Sequence, residues 1–293
     1  MNHSSPHAGC FSALMLAVMM YLGVAEAQRP VAQAGERVVV QVAPGVEMAF
    51  RWIPAGTFTM GSPDDEQHRF DWEGPQTQVT LTQGFWMGET EVTQAQWRAV
   101  MGADPLNLAF PGNPNNPMER VSWDDIMGAQ VSGRPTPQVG SFMARLRERT
   151  GLNATLPTEA QWEYACRAGT TTRWSFGDNE SALGNKAWYV GNSSARTQPV
   201  GQKQANAWGL HDMHGNVNEW CLDWMDAYPG GATDDYSGPS SGTGRVCRGG
   251  SSFLRPRGLR SAGRHWFSPC YRGNFSGFRV VCVPEEEGLG IGD

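Results

Sequence analysis

The chain has 293 residues, 40% of them hydrophobic, so it is long enough to bury a substantial core. Its net charge of −6 comes from 29 acidic and 23 basic residues, and the basic residues form no dense run. This distribution argues against a nucleic-acid partner, because proteins that bind phosphate backbones concentrate positive charge. The 36 glycines, 19 prolines and 12 tryptophans are typical of long irregular segments packed by large aromatic side chains.

The N-terminus has the features of an export signal. An almost wholly apolar run over residues 10–24 precedes Ala25-Glu26-Ala27, an A-x-A cleavage pattern, and is too short to cross a bilayer comfortably. We therefore predict a signal peptide over residues 1–27, a periplasmic or secreted protein, and no transmembrane anchor after cleavage. The residues before the run contain no Lys or Arg. A buried or interfacial N-terminal helix is the alternative.

The remaining elements follow in chain order within one predicted domain. Residues 28–45 form a lead-in that ends in an alternating strand, residues 46–283 form the domain, and residues 284–293 are a tail. Short strands are predicted at residues 37–43, 50–54, 56–61 and 77–82, and helices after Thr93, after Ser122, over residues 140–150 and after Thr158. The chain after Gly169 is broken by glycines and shows no helical period longer than two turns. A single α+β domain is the economical interpretation.

Eight short motifs occur in a fixed order from about Phe50 to Cys282. They are Phe58-Thr-Met-Gly-Ser62, Gly88-Glu-Thr-Glu-Val-Thr93, Pro117-Met-Glu-Arg-Val-Ser-Trp-Asp124, Leu156-Pro-Thr-Glu-Ala-Gln-Trp-Glu-Tyr-Ala165, Asn206-Ala-Trp-Gly-Leu210, Asp212-Met-His-Gly-Asn-Val-Asn-Glu-Trp220, Arg248-Gly-Gly-Ser251 and Gly277-Phe-Arg-Val280. This series resembles the formylglycine-generating enzyme family, also called sulfatase-modifying factors. The resemblance implies an irregular, C-type-lectin-like α+β fold with little regular secondary structure.

The resemblance also bears on chemistry. Well-studied members oxidise a peptide cysteine with dioxygen, using copper held by two thiolates, and thiolates suit Cu(I) because they are soft ligands. Here Leu254 falls where the first thiolate would be and the second has no counterpart, so copper is not expected at the family site. Ser251 matches the serine beside that site and is the candidate catalytic residue. The candidate pocket residues are Asn218, Phe253, Leu254, Arg255, Ser261, Trp266 and Tyr271.

A calcium site is also implied by the resemblance. The family turn that corresponds to residues 212–219 binds calcium through its first and last side chains and two carbonyls. Here those ligands would be the Asp212 and Glu219 carboxylates with the Gly215 and Val217 carbonyls, an all-oxygen set that suits a hard cation. The alternative is a turn whose acids cap backbone amides.

The cysteines and arginines give further expectations. The mature chain keeps five cysteines, an odd number, so one at least stays unpaired. Family members often pair the positions of Cys166 and Cys282, and Cys221 with Cys247 is a second candidate disulfide, which would leave Cys270 as a lone thiol. Four arginines at framework positions are expected to pair with buried carboxylates rather than bind substrate. They are Arg248, Arg260, Arg264 and Arg279.

Two functions of different classes fit these observations. The first is an exported oxidoreductase that acts on a peptide or secreted metabolite without the dithiolate copper site. The alternative is a non-catalytic protein that binds a peptide or small molecule through Ser252–Phe275, where framework residues alternate with chemically diverse ones. That spacing is similar to the variable region of bacterial receptors diversified by retroelement mutagenesis on this fold. A cysteine oxidase that uses Cys270 is a third, weaker hypothesis.

Overall fold

Twelve short strands and five short helices form the part of the chain that the computed structural model describes, residues 32–105, 107–129 and 135–284. The predicted signal peptide and all but one residue of the predicted tail lie outside this part. The elements are β1 (Arg37–Ala43), β2 (Val46–Ile53), β3 (Gly56–Met60), β4 (Thr77–Leu81), β5 (Phe85–Gly88), α1 (Gln94–Met101), α2 (Trp123–Met127), α3 (Phe142–Thr150), β6 (Ala154–Thr155), α4 (Glu159–Arg167), α5 (Leu183–Lys186), β7 (Asn218–Trp224), β8 (Gly231–Asp234), β9 (Arg245–Arg248), β10 (Arg264–Phe267), β11 (Ser276–Gly277) and β12 (Val281–Cys282). Short 3₁₀ turns occur at Asp71–Glu73, Glu180–Ala182 and Pro256–Leu259.

The strands form three small sheets. The first has the order β1-β2-β5-β12-β6, the second β10-β9-β7-β11 and the third β3-β4-β8. β12, the last strand, lies between β5 and β6, so the end of the chain closes the sheet that its beginning starts. Mixed helices and sheets confirm the α+β class. Within the described residues no helix is long and apolar enough to cross a membrane.

The helices begin where the sequence predicts. Thr93, Ser122 and Thr158 each form a reciprocal capping box with the residue three positions later, and Ser141 caps α3. These caps satisfy amides that a helix of two or three turns cannot satisfy internally, and each is worth about 1 kcal/mol. α1 and α3 are joined by the stacked rings of Trp97 and Phe142, 5.2 Å apart.

Four buried guanidinium groups of the irregular part of the chain after Gly169 pair with buried carboxylates, three of which lie before it. The pairs are Arg248 with Glu163, Arg260 with Glu73, Arg264 with Glu159 and Arg279 with Glu219, and every one of these side chains is at most 1% exposed. The prediction that these four arginines pair with buried carboxylates is therefore confirmed. Arg260 and Arg264 belong to the segment Ser252–Phe275, and their carboxylates lie outside it, so these two pairs fix that segment to the rest of the fold.

Neither predicted disulfide is present, because all five cysteines of the described residues are free. β9 places Cys247 opposite Trp220, so the next residue on β7, Cys221, faces the other side of the sheet and a different core. Cys166 lies on α4 with its Sγ 3.8 Å from His214 Nε2, whereas Cys282 pairs with Trp86 and Ala154 in the first sheet. The two disulfide predictions are wrong because these side chains belong to separate cores.

Candidate functional site

The candidate site is built around the loop that leaves β9. Gly249 and Gly250 have φ values of +89° and +73°, and a Cβ on Gly250 would lie 2.5 Å from the Gly258 carbonyl oxygen. Only glycine fits this close approach without strain. The turn buries Ser251, whose carbonyl accepts a hydrogen bond from the Leu254 amide at 3.0 Å. Ser251 is only 1% exposed, so it lies beneath the loop and helps to shape it.

One side of this loop is aliphatic. Leu254 packs on a small core that contains Trp174, Leu183 and Leu259. Cys270 is exposed, and its Sγ lies 3.2 Å from Ser268 Oγ. Apolar side chains at this position and a single exposed thiol do not fit a copper ion held by two thiolates.

Aromatic rings line the other side of the loop. The ring centroids of Phe110 and Phe253 lie 6.1 Å apart, and those of Phe253 and Phe275 lie 6.3 Å apart. Tyr271 stacks on Phe267 at 4.6 Å and continues the series to Phe275. All five rings are half-buried, so they present one edge or face to solvent. They form an apolar wall that three distant segments share.

Polar side chains lie beneath this wall. Asn218, Ser252 and Ser276 are at most 2% exposed, and Asn218 Oδ1, Ser252 Oγ and Ser276 Oγ have no hydrogen-bond partner among the described residues. Their segments are bonded to one another, since the Asn218 amide donates to the Phe275 carbonyl at 2.7 Å and Asn218 pairs with Ser276 across β7 and β11. Buried polar atoms without partners are rare in proteins and mark places where a water or ligand completes the bonding.

Sequence reasoning missed Glu119. This buried carboxylate accepts hydrogen bonds from the amides of Ala109 and Phe110 at 2.6 and 3.1 Å through Oε1, while its Oε2 has no partner. Burial raises the pKa of Glu119, against the backbone amides that lower it. The motif Pro117–Asp124 contains Glu119, but nothing in its spacing links it to Phe253, far along the chain.

The remaining predicted pocket residues do not converge on this wall. Ser261 is fully buried and its amide donates to the Arg173 carbonyl at 2.7 Å. Arg255 is exposed. Trp266, 42% exposed, contacts Trp72 at a centroid distance of 5.5 Å and lies in a second aromatic patch. Of the seven predicted residues, Asn218, Phe253, Leu254 and Tyr271 lie around the loop.

The turn predicted to bind calcium is strongly bent and buried. Asp212, Gly215 and Asn216 have φ values of 58°, 115° and 60°. A Cβ on Gly215 would lie 2.1 Å from the Trp188 carbonyl oxygen, so only glycine fits there. Asp212 Oδ2 accepts from the Gly201 amide at 2.7 Å, and Oδ1 has no partner among the described residues.

Glu219 is the more heavily bonded of the two predicted calcium carboxylates. Arg279 donates to both of its oxygens at 2.6 Å, and Trp162 Nε1 donates to Oε2 at 2.7 Å. Oε1 therefore keeps a free lone pair. Glu91, a further buried carboxylate, accepts from the Val217 amide at 3.0 Å. One free carboxylate oxygen on Asp212 and one free lone pair on Glu219 would suit a hard cation. Because the structure does not test binding, the calcium site stays a prediction.

The histidines beside this turn are fixed by other bonds. His211 Nδ1 lies 2.7 Å from the Lys203 carbonyl oxygen, and His214 Nδ1 lies 2.8 Å from that of Leu259. Ser175 Oγ is 2.8 Å from His214 Nε2, and burial lowers the pKa of His214 to about 4. Among the described residues no group of three His, Cys, Asp or Glu side chains is arranged to bind a metal. Both histidines are therefore engaged in hydrogen bonds within the fold.

Comparison with known proteins agrees with this architecture. The Sulfatase-modifying factor enzyme 1-like domain matches residues 40–283. Treponema denticola variable protein 1 is 31% identical with a TM-score of 0.70, covering 87% of this chain and all of that one, and PvdO from Pseudomonas aeruginosa is 30% identical with a TM-score of 0.72, covering 86% and 99%. Hercynine oxygenase of Mycolicibacterium smegmatis is 30% identical over 81% of this chain, which spans only 62% of that relative's length. The chain belongs to the sulfatase-modifying factor, or formylglycine-generating enzyme, family.

Proposed function

We propose that this chain is a ligand-binding member of its family and that it presents a changeable surface on the segment Ser252–Phe275. One observation carries the proposal. Within this segment Leu259, Arg260 and Arg264 are at most 1% exposed, whereas Arg255 and Arg257 are exposed and Trp266 is 42% exposed. The buried residues fix the backbone, and the exposed ones can vary without disturbing the core.

The chemistry of the surface supports the same function. Aromatic and arginine side chains dominate binding hot spots, because they offer large contact areas and several hydrogen bonds. The segment contains no acidic residue. The similarity to Treponema denticola variable protein 1, which extends over that whole chain, adds support. The ligand would be a peptide or a small molecule.

Population sequencing tests this function directly. We expect substitutions among isolates to concentrate at exposed and half-buried positions of Ser252–Phe275 and to spare Leu259, Arg260, Ala262 and Arg264. We also expect a reverse transcriptase gene and a near-copy of this coding segment nearby. A segment no more variable than the rest of the chain, with neither of those genes beside it, would contradict the proposal.

An exported oxidoreductase is the second candidate, and the similarity to hercynine oxygenase favours it. It would act on a peptide or secreted metabolite by a route without the dithiolate copper site. Metal analysis paired with an oxygen-uptake assay distinguishes the candidates. Oxygen consumption that requires a metal other than calcium would support the oxidoreductase, and no consumption would support the binding protein. Export itself predicts a mature N-terminus at Gln28, which N-terminal sequencing checks.

A further inference from the structure

An open cleft of about 310 Å³ lies on the outer face of the hairpin that β1 and β2 form. Val39, Val46 and Ala49 supply an aliphatic floor, and the walls come from the segment after β5, the start of α1 and two loops. Met48 and Phe50 alternate with Ala49 along β2 and belong to the core on the other face of the sheet. The volume is at the lower end of the range for ligand sites, so the cleft fits a small molecule.

The two strands place opposite charges at the two ends of this cleft. Arg37 on β1 lies opposite Arg51 on β2, and Glu47 precedes Arg51 by four residues. Residues two or four apart on a strand share one face, and four residues span about 13 Å. Val39 and Ala49, which are paired across the strands, lie between the two ends. The cleft is therefore apolar along its floor and charged at each end.

The Arg37 end carries an excess of positive charge. Arg37 Nε and Arg51 Nε lie 2.7 and 2.8 Å from the same oxygen of Glu89, so two guanidinium groups face one carboxylate. The Arg37 side chain is 47% exposed, and its two Nη nitrogens have no hydrogen-bond partner among the described residues. They are accessible donors for the carboxylate of a ligand, a group that a guanidinium binds at two points.

The Glu47 end is negative. Glu47 is exposed, and its carboxylate has no ion-pair partner in the part of the chain that the structure describes. Its main-chain carbonyl accepts a hydrogen bond from Gln96 Nε2 at 2.8 Å, which joins this end of the cleft to α1. An ammonium group of a ligand would meet an unpaired acid here.

The walls between the two ends suit amide groups. Asn115 is exposed, and its side-chain amide makes no hydrogen bond to the described residues. The Thr90 hydroxyl donates to the Glu91 carbonyl at 3.0 Å and keeps its lone pairs as acceptors. Side chains that can both donate and accept match the N–H and C=O groups of a peptide backbone.

We propose that this cleft binds a short peptide with free ends, about three residues long, with its carboxylate at Arg37 and its ammonium group at Glu47. An extended tripeptide spans about 10 Å, and the two long side chains cover the remaining distance. A single amino acid carries its two charges one residue apart, so it cannot reach both ends. No residue that lines the cleft belongs to Ser252–Phe275. The inference is therefore independent of the proposed function.

Calorimetric titration of the full chain with four probes tests this site. Trialanine has both charges, trialanine amide lacks the carboxylate, N-acetyl-trialanine lacks the ammonium group, and free alanine is too short. We expect each capped tripeptide to bind about fivefold more weakly than trialanine, the factor that corresponds to an exposed ion pair of about 1 kcal/mol. Alanine should bind more weakly than either.

Two variants assign the charges to the ends. Arg37→Gln should bind trialanine and its amide alike, and Glu47→Gln should bind trialanine and its acetyl derivative alike. Glu89 keeps Arg51 as a partner in the first variant, and the Glu47 carbonyl keeps its bond to α1 in the second. Arg149→Gln and Glu148→Gln make the same charge changes at exposed positions of α3, outside the cleft, and should leave both differences unchanged.

Three results would overturn the inference. They are no binding of trialanine, equal binding of the free and capped tripeptides, and binding of alanine as tight as that of trialanine. All three comparisons use the unchanged protein, so they decide even if a variant fails to fold. None of them bears on whether Ser252–Phe275 is a changeable surface.

Discussion

Replacing Arg260 by alanine should cost far more stability than replacing Arg272, although both arginines lie in the same segment. Arg260 is fully buried and donates to both oxygens of the fully buried Glu73 at 2.5 and 2.7 Å. Without it, the Glu73 carboxylate keeps, among the described residues, only the Ser62 hydroxyl at 2.9 Å, and the nearly buried Glu66 also loses its ion pair. An uncompensated buried charge of this kind lowers the free energy of unfolding by about 3–5 kcal/mol.

Arg272 provides the matched control. It forms a two-point ion pair with Asp125 at 2.6 and 2.8 Å, but the two side chains are 52% and 27% exposed. Solvent screens such a pair, so Arg272→Ala should cost about 1 kcal/mol or less. Asp125 also keeps its hydrogen bonds to Ser122 in the cap of α2.

Urea unfolding followed by tryptophan fluorescence measures both costs. We expect Glu73→Gln in the Arg260→Ala background to recover about 1–2 kcal/mol, because the amide removes the buried charge. Equal free energies of unfolding for the two alanine variants would refute the reasoning. It would mean that the buried ion pairs do not hold Ser252–Phe275 in place. The contrast between buried and exposed positions of this segment would then have no energetic basis.

Three further predictions concern calcium, protonation and thiols. At a hundredfold excess over Kd, calcium should raise the free energy of unfolding by about 3 kcal/mol and with it the melting temperature, and EDTA should reverse the rise. Asp212→Ala should abolish the effect, and a lack of response in the unchanged protein would contradict the site. Burial, and then the neighbouring Glu159 carboxylate, raise the pKa of Asp223 to about 8 from its ordinary 3.8. Since the folded state binds this proton more tightly, the stability it contributes is complete below pH 3.8 and is lost as the pH rises through about 8. Asp223→Asn should flatten that fall in urea titrations across this range, and an unchanged slope would argue against it. Ellman titration of the native protein should lose one thiol in Cys270→Ser, and denaturation without reductant should release the four buried thiols; a need for reductant would restore the disulfide hypothesis.

Local signals predicted much of the first half of the fold. The caps at Thr93, Ser122 and Thr158 depend on residues three positions apart, so a single sequence contains them. β7 was not predicted, because six of its seven residues are buried and it shows no alternation of polar and apolar side chains. The disulfide pairings also failed, since the side of a sheet that Cys221 faces depends on its register with β9.

The candidate site was also predicted only in part, because local signals do not show which distant segments meet. Phe253 and Tyr271 were found because they share one segment with the motifs that carry the resemblance. Phe110 and Glu119 were not found, because only the folded path of the chain brings this distant segment next to Phe253. The feature that could have indicated Glu119 is its position in the motif that holds the helix cap Ser122, where the sequence gives this acid no evident local role.

The contrast between buried and exposed positions of Ser252–Phe275 also decides which substitutions act independently of one another. Substitutions at exposed positions such as Arg255 should change the free energy of unfolding by about 0.5 kcal/mol or less and add independently. Phe253 and Phe275 touch each other, so their substitutions should couple.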